Sequence, residues 1–226
     1  MADVNIVQAQ GFAGYSGSFT DNVTEGNSVI LLVIGANNGG TMSSSSPTYN
    51  GSEPAGATML AEVLENTGSA TVYVAAWLLP NLTGGAQNLS IMVSNNFYGS
   101  PATGFAAFEI SGLGANPTLD AYNTDSNANS GTVSSGASGA ISHAPELIVA
   151  ALGTFGNAMS EVGSPWTEVQ FGDNFLLAAA QVADISGGSY TYSQTATSGA
   201  WAGLIVTLYV PPSSGSGSGL LMAGFP

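Results

Sequence analysis

The chain has 226 residues, with 14 Asp and Glu, one His, no Lys and no Arg, for a formal charge of −14. A nucleic-acid groove needs Lys or Arg to displace counterions from phosphate, and an anionic membrane surface recruits proteins through the same side chains. Neither partner suits this composition, and the field it creates favours a basic protein surface or a divalent cation instead.

With no Cys, disulfides and thiolate chemistry are excluded as well. Hydrophobic residues make up 44% of the chain, enough apolar surface to offset chain entropy and to fold. Charged residues are only 6%, so solubility rests on Ser, Thr, Asn, Gly and the carboxylates. Residues 1–5 carry no basic segment followed by an apolar run. No apolar stretch reaches the roughly 20 residues of a membrane helix. The expectation is a product made in the cytoplasm without a signal peptide.

The apolar stretches are short, rich in β-branched and aromatic residues, and bounded by Gly, Asn, Ser and Pro, which is strand punctuation. In chain order they predict strands over 15–20, 28–36, 57–64, 71–79, 87–94 and 104–111. A second series follows over 130–134, 146–154, 166–171, 175–183, 189–195 and 200–210. The stretch 71–79 alternates with period two, whereas 29–34 is apolar on both faces and predicts a central strand. The Ala-rich stretch 175–183 has a helical competitor, but the turn residues flanking it favour a strand.

The two series resemble each other in order. Residues 29–36 parallel 147–154, 61–63 parallel 167–169, and 71–79 parallel 175–183. Likewise 89–94 parallel 190–195, and 104–110 parallel 200–206. Pseudo-repeats over about 15–112 and 130–210 follow from this. The expected fold is all-β, an antiparallel β-sandwich or jelly-roll-like domain over 1–210, with duplicated halves as one way to build it. Residues 112–131 read as a polar loop. Residues 211–226 read as a Gly/Ser linker ending in an apolar peptide, with Leu220, Leu221, Met222 and Phe225 as a docking segment for a neighbouring subunit.

Few residues point to chemistry. His143, the sole imidazole, has Ser and Asp within reach of a nucleophilic triad only by coincidence of composition, and it reads as a turn residue. Glu62, Glu65, Glu109 and Glu168 lie in or beside predicted strands. Paired carboxylates can hydrolyse glycosides, but an outward polar strand face accounts for them, and Glu62 and Glu168 hold parallel places in the two halves. Alternate oxygen ligands at Asp120, Asn123 and Asp125, continued by Asn127 and Asn129, form a candidate Ca²⁺ loop without the closing Glu of an EF-hand. An ordinary connecting loop is the competing reading. Zinc is not expected with no Cys and one His. No other cofactor is expected. Tyr98 and Trp166 are candidate rings for stacking on a glycan.

The order of Gly26-Asn-Ser28 before a buried strand, Ala107-Phe-Glu-Ile-Ser-Gly112, Thr118-Leu-Asp120, Pro145-Glu-Leu-Ile-Val-Ala150 and a closing strand with Trp201 resembles β-sandwich modules of bacteriophage virion proteins and bacterial surface proteins. The resemblance covers about residues 15–210. It implies a non-enzymatic structural or adhesive role and carries no catalytic residue. The expected function is a virion structural protein, a capsid decoration or other virion-surface subunit. Its expected partners are other virion proteins and further copies of itself. A carbohydrate-binding or adhesin module of a phage fibre or bacterial surface, with a host glycan as partner, is the alternative.

Overall fold

The computed structural model describes residues 3–85, 88–95, 102–156, 158–160, 163–171, 176–184 and 186–211. Among them there is no helix, and the strands are β1 (Asn5–Ala13), β2 (Ser16–Ser18), β3 (Ser28–Asn37), β4 (Met42–Ser44), β5 (Thr48–Tyr49), β6 (Thr58–Asn66), β7 (Thr71–Leu79), β8 (Asn88–Ser90), β9 (Val93–Asn95), β10 (Ala102–Ser111), β11 (Thr118–Ala140), β12 (Glu146–Thr154), β13 (Thr167–Phe171), β14 (Leu176–Ala183) and β15 (Ser189–Tyr209). The fold is an all-β, antiparallel sandwich. One five-stranded sheet has the order β1-β10-β3-β7-β6, and the other has the order β11-β15-β12-β14-β13.

Each sheet is made from one half of the chain. If β1, β3, β6, β7 and β10 are matched in turn with β11, β12, β13, β14 and β15, the two strand orders are the same. Of the strands read from the sequence, 28–36, 57–64, 71–79 and 104–111 lie in the first sheet and 146–154, 166–171, 175–183 and 200–210 in the second, whereas 15–20 and 87–94 overlap β2 and β8 of a separate small sheet. At β3 and β12, however, the residue-by-residue pairing is out of step. Val29 faces the outer side of its sheet and Leu147 the inner side. Side chains alternate faces along a strand, so a slip of one residue reverses every one. In the hydrogen-bonded ladders Val29 lies opposite Glu109 and Leu79, and Leu147 lies opposite Leu208 and Val182. The shared Gly35 and Gly153 point to opposite faces. A Cβ on Gly35 would meet Met42, whereas one on Gly153 would meet Ile34 across the sandwich.

Alternation sorts the apolar residues into three layers. Ile30, Leu32, Ile34, Val72, Val74 and Phe108 of the first sheet meet Leu147, Val149, Leu176, Leu204, Val206 and Leu208 of the second in a central core. The outer face of the first sheet presents Phe12, Val29, Leu31, Val33, Tyr73, Trp77 and Phe105, and it is covered by Phe19, Tyr49, Leu82, Leu89 and Ile91. Tyr49 and Leu89 belong to the small sheet β2-β8-β5, which Phe19 and Ile91 adjoin, and a second small sheet pairs β4 with β9. The outer face of the second sheet presents Ile148, Leu152, Leu177, Trp201 and Ile205, and it is covered by Val133, Ile141, Met159 and Tyr192. With both faces covered, β3, β7 and β12 are buried along their whole length. This is why 29–34 lacks alternation.

The polar stretch 112–131 was expected to be a loop. From Thr118 onward it is instead the start of β11, a strand of 23 residues paired with β15. The stretches 189–195 and 200–210 likewise belong to one strand, β15. An edge strand tolerates Asn, Asp and Ser because one side of it remains in water, so polarity there signals an edge and not a loop. The β11–β15 ladder changes register between Asn127 and Thr132. Beyond that break the two-stranded ribbon folds over its own sheet, bringing the Ser134 carbonyl against Gly203. Strand β1, another edge, also escaped the sequence reading.

Glu62 and Glu168, parallel in the sequence, do the same work in the two sheets. Each lies on the strand at the far edge and accepts a hydrogen bond from a buried tyrosine hydroxyl, Tyr73 for Glu62 at 2.8 Å and Tyr192 for Glu168. Burial, reinforced by the Glu62 carboxylate, pushes the Tyr73 hydroxyl from 10.0 up to about 12. A raised pKa favours the neutral form in the folded state. This stabilisation is complete below pH 10 and is lost as pH rises from 10 toward 12. Two pKa units correspond to about 2–3 kcal/mol. Urea midpoints measured from pH 9 to 12 should fall steeply in the wild type and more gently in Tyr73→Phe.

Candidate functional site

The chemically richest cluster lies at one end of the second sheet, where β11 begins, β12 begins and β15 ends. Asp120 comes from β11, His143 from the turn between β11 and β12, and Glu146 is the first residue of β12. Each offers one ligand atom, and these atoms all lie within 4.8 Å of one another. The ring of His143 stacks flat on Tyr209 of β15, with centroids 3.6 Å apart and planes 1° from parallel.

Asp120 is held firmly. It accepts the backbone N–H of Ser142 at 2.6 Å and the Ser142 hydroxyl, and His143 Nδ1 lies 3.5 Å away. Burial pushes its carboxyl up, but the two Ser142 hydrogen bonds and the neighbouring His143 outweigh this and leave it below the usual carboxylate range. Glu146 is 0% exposed, and neither carboxylate oxygen has a hydrogen-bond partner of proper geometry. Burial first, and the Asp120 charge with it, raises Glu146 above the usual range, and nearby Thr207 and His143 offset only part of that. The Thr207 hydroxyl is committed elsewhere, since it donates to the Ala121 carbonyl and accepts from the Ala121 N–H.

A nucleophilic triad needs a serine hydroxyl on one ring nitrogen and a carboxylate on the other. Here Ser142 lies 2.7 Å from His143 Nδ1, the same nitrogen that faces Asp120, and its hydroxyl proton goes to Asp120. The Ser–His–Asp residues are together but not in a catalytic arrangement.

Of the candidate Ca²⁺ ligands, only Asp120 enters the cluster. Asn123 donates to the Ala137 carbonyl at 2.8 Å, and Asp125 accepts the Ser126 N–H at 2.9 Å. Both are fixed within a strand ladder where a loop was expected. Trp166 packs against Tyr192, with centroids 4.9 Å apart, at the edge of the outer core of the second sheet. Tyr98, Leu220, Leu221, Met222 and Phe225 lie outside the described residues. Glu109 is buried among hydrogen-bond donors, and Glu65 accepts from Ser126 across the two sheets at 2.8 Å.

Glu146 is the residue that sequence reasoning missed. Its signal was a carboxylate opening a strand that is otherwise wholly apolar, Glu146-Leu-Ile-Val-Ala-Ala-Leu152, directly after a proline. An open groove of about 750 Å³ lies elsewhere, lined among others by Glu53, Pro54, Pro80, Asn116 and Pro117. Comparison with known proteins finds no matching protein-family model, no matching curated protein and no matching solved structure.

Proposed function

We propose that the chain is a non-enzymatic structural subunit of a bacteriophage virion, carried on the particle surface as a capsid decoration or similar component. The observation that supports this best is the self-covered sandwich. The chain caps both outer faces of its own two sheets and stacks three apolar layers in 226 residues. Such a module presents a rigid, anionic, Ser- and Asn-rich exterior and suits display on a particle. It also suits exposure to proteases that cut after Lys or Arg, because the chain offers them no cleavage site. The arrangement at Ser142, whose hydroxyl proton is given to a carboxylate, favours the non-enzymatic reading over a hydrolase.

The test is mass spectrometry of particles purified through two successive density gradients. The expected result is this chain in fixed stoichiometry with the major capsid protein. Its absence from the particles, or trace amounts lost at the second gradient, overturns the proposal.

A further inference from the structure

Each sheet carries buried polar groups where its central strand begins, and the two clusters are satisfied differently. In the first sheet, Glu109 directly precedes Ile110 and Asn27 directly precedes its ladder partner Ser28. In the second, Thr207 directly precedes Leu208 and Glu146 directly precedes its partner Leu147. The flanking edge strand contributes Gln8 in the first sheet and Asp120 in the second, each at an irregularity of its ladder.

The first cluster is complete. The Glu109 carboxylate receives Gln8 Nε2 at 2.5 Å, Asn27 Nδ2 at 2.6 Å and the Thr24 N–H at 2.8 Å. One buried charge meets three N–H donors. The second cluster holds two carboxylates, Asp120 and Glu146, and has no amide side chain like Gln8 or Asn27 to donate to them. Asp120 recruits Ser142 as a substitute. Glu146 is fully buried, faces Asp120 and His143, and has neither oxygen satisfied. A buried acceptor without a partner is costly. No Lys or Arg exists anywhere in the chain to supply one.

We propose that Asp120, His143 and Glu146 form a binding site for one divalent transition-metal ion of the zinc type, which ties the start of β11, the following turn and the start of β12 together. Three features support the assignment. The donors are two carboxylate oxygens and one imidazole nitrogen, a set that suits zinc-like ions and that calcium and magnesium, which prefer oxygen alone, do not require. The ring is pre-oriented by its stack on Tyr209. The metal would supply the missing partner of Glu146, as the amides do for Glu109. A separation of up to 4.8 Å between ligand atoms closes around an ion with bonds of about 2.0–2.2 Å through small side-chain rotations.

The experiment uses the full chain, stripped with a chelator, dialysed against Zn²⁺ in excess Ca²⁺ and assayed by elemental analysis and thermal melting. One Zn²⁺ per chain with a rise in Tm is expected. Both should be lost in Glu146→Gln and His143→Ala, with affinity down about tenfold or more, since even indirect partners of a metal commonly contribute that much. Asp125→Asn, which removes a charge outside the cluster, should bind as the wild type does. The proposal is overturned if the wild type holds no more Zn²⁺ than Glu146→Gln, if Asp125→Asn loses as much as His143→Ala, or if Ca²⁺ displaces the ion. Should Glu146→Gln fail to fold, His143→Ala decides alone, because that side chain sits in a turn and is 41% exposed.

Discussion

Replacing Glu109 with Gln should destabilise the protein by about 2–4 kcal/mol, although it removes one of many like charges. Hydrogen bonds to an ionised group each contribute about 1.5–3 kcal/mol, and breaking a buried charged network is more costly than losing one bond. At this site Gln8, Asn27 and the Thr24 backbone all point N–H groups at the carboxylate. A Gln side chain turns one of its two acceptors into a donor, so either an N–H group faces it unpaired or the Gln8 amide turns over and gives up its bond to the Asp21 carbonyl. The change also loosens the 21–27 connection, which is pinned to β10 through Thr24 and Asn27. In a chain of charge −14, general self-repulsion would instead make the loss of a carboxylate favourable. The sign of the effect therefore separates the local network from the overall field. Urea unfolding with an unchanged m-value measures it. Glu65→Gln, in a part-buried contact with Ser126, is the control and should stay within about 0.5 kcal/mol of the wild type. If Glu109→Gln does the same, the buried network carries no stability.

The contrast between the clusters shows what the sequence could and could not reveal. Strand positions were legible wherever a strand is buried on both faces. The stretches 71–79 and 146–154 coincide with β7 and β12, because a run of apolar β-formers between turn residues has few other uses. The edges were not legible. In β11, Asn, Asp and Ser alternate in a way that a turn also permits, and the pairing with β15 that makes it a strand is a tertiary fact. The same misreading misplaced the candidate site. Asp120, Asn123 and Asp125 are close in sequence, but a strand does not gather them as a loop would. Asp120 meets Glu146 and His143 only because β11, β15 and β12 lie side by side. The two five-stranded sheets share one strand order, but the residue pairing read between 29–36 and 147–154 sets outward-facing side chains against inward-facing ones. Because β3 and β12 are buried on both faces, their apolar runs carry no alternation that would fix the phase, and Gly35 and Gly153 in fact face opposite sides.

Gly203→Ala tests the fold-back of the β11–β15 ribbon, and it should lower stability by about 3 kcal/mol, or about 6–12 °C in Tm for a domain of this size. Glycine within a strand is ordinarily a weak point, and alanine there is usually better by about 0.5–1 kcal/mol because it restricts the unfolded chain. At Gly203 that gain is overridden. A Cβ would lie 2.3 Å from the Ser134 carbonyl oxygen and 2.7 Å from a Leu152 methyl. The methyl can rotate away, but the carbonyl belongs to a ladder in which Ser134 pairs with Ser193. Relief therefore requires the whole ribbon, residues 130–140 with 189–199, to lift from the outer face. That motion uncovers Ile148, Leu152 and Ile205, which Val133 and Tyr192 now cover. The variant should thus bind a hydrophobic dye that the wild type does not, and Trp201, on the same outer face, should shift its fluorescence to the red. Gly35→Ala provides the comparison, because its nearest neighbour is the terminal methyl of Met42, the free end of a side chain that can turn without moving a strand. A loss at Gly203 no larger than at Gly35, with no dye binding, would mean that the ribbon yields freely and that the outer core of the second sheet does not depend on it.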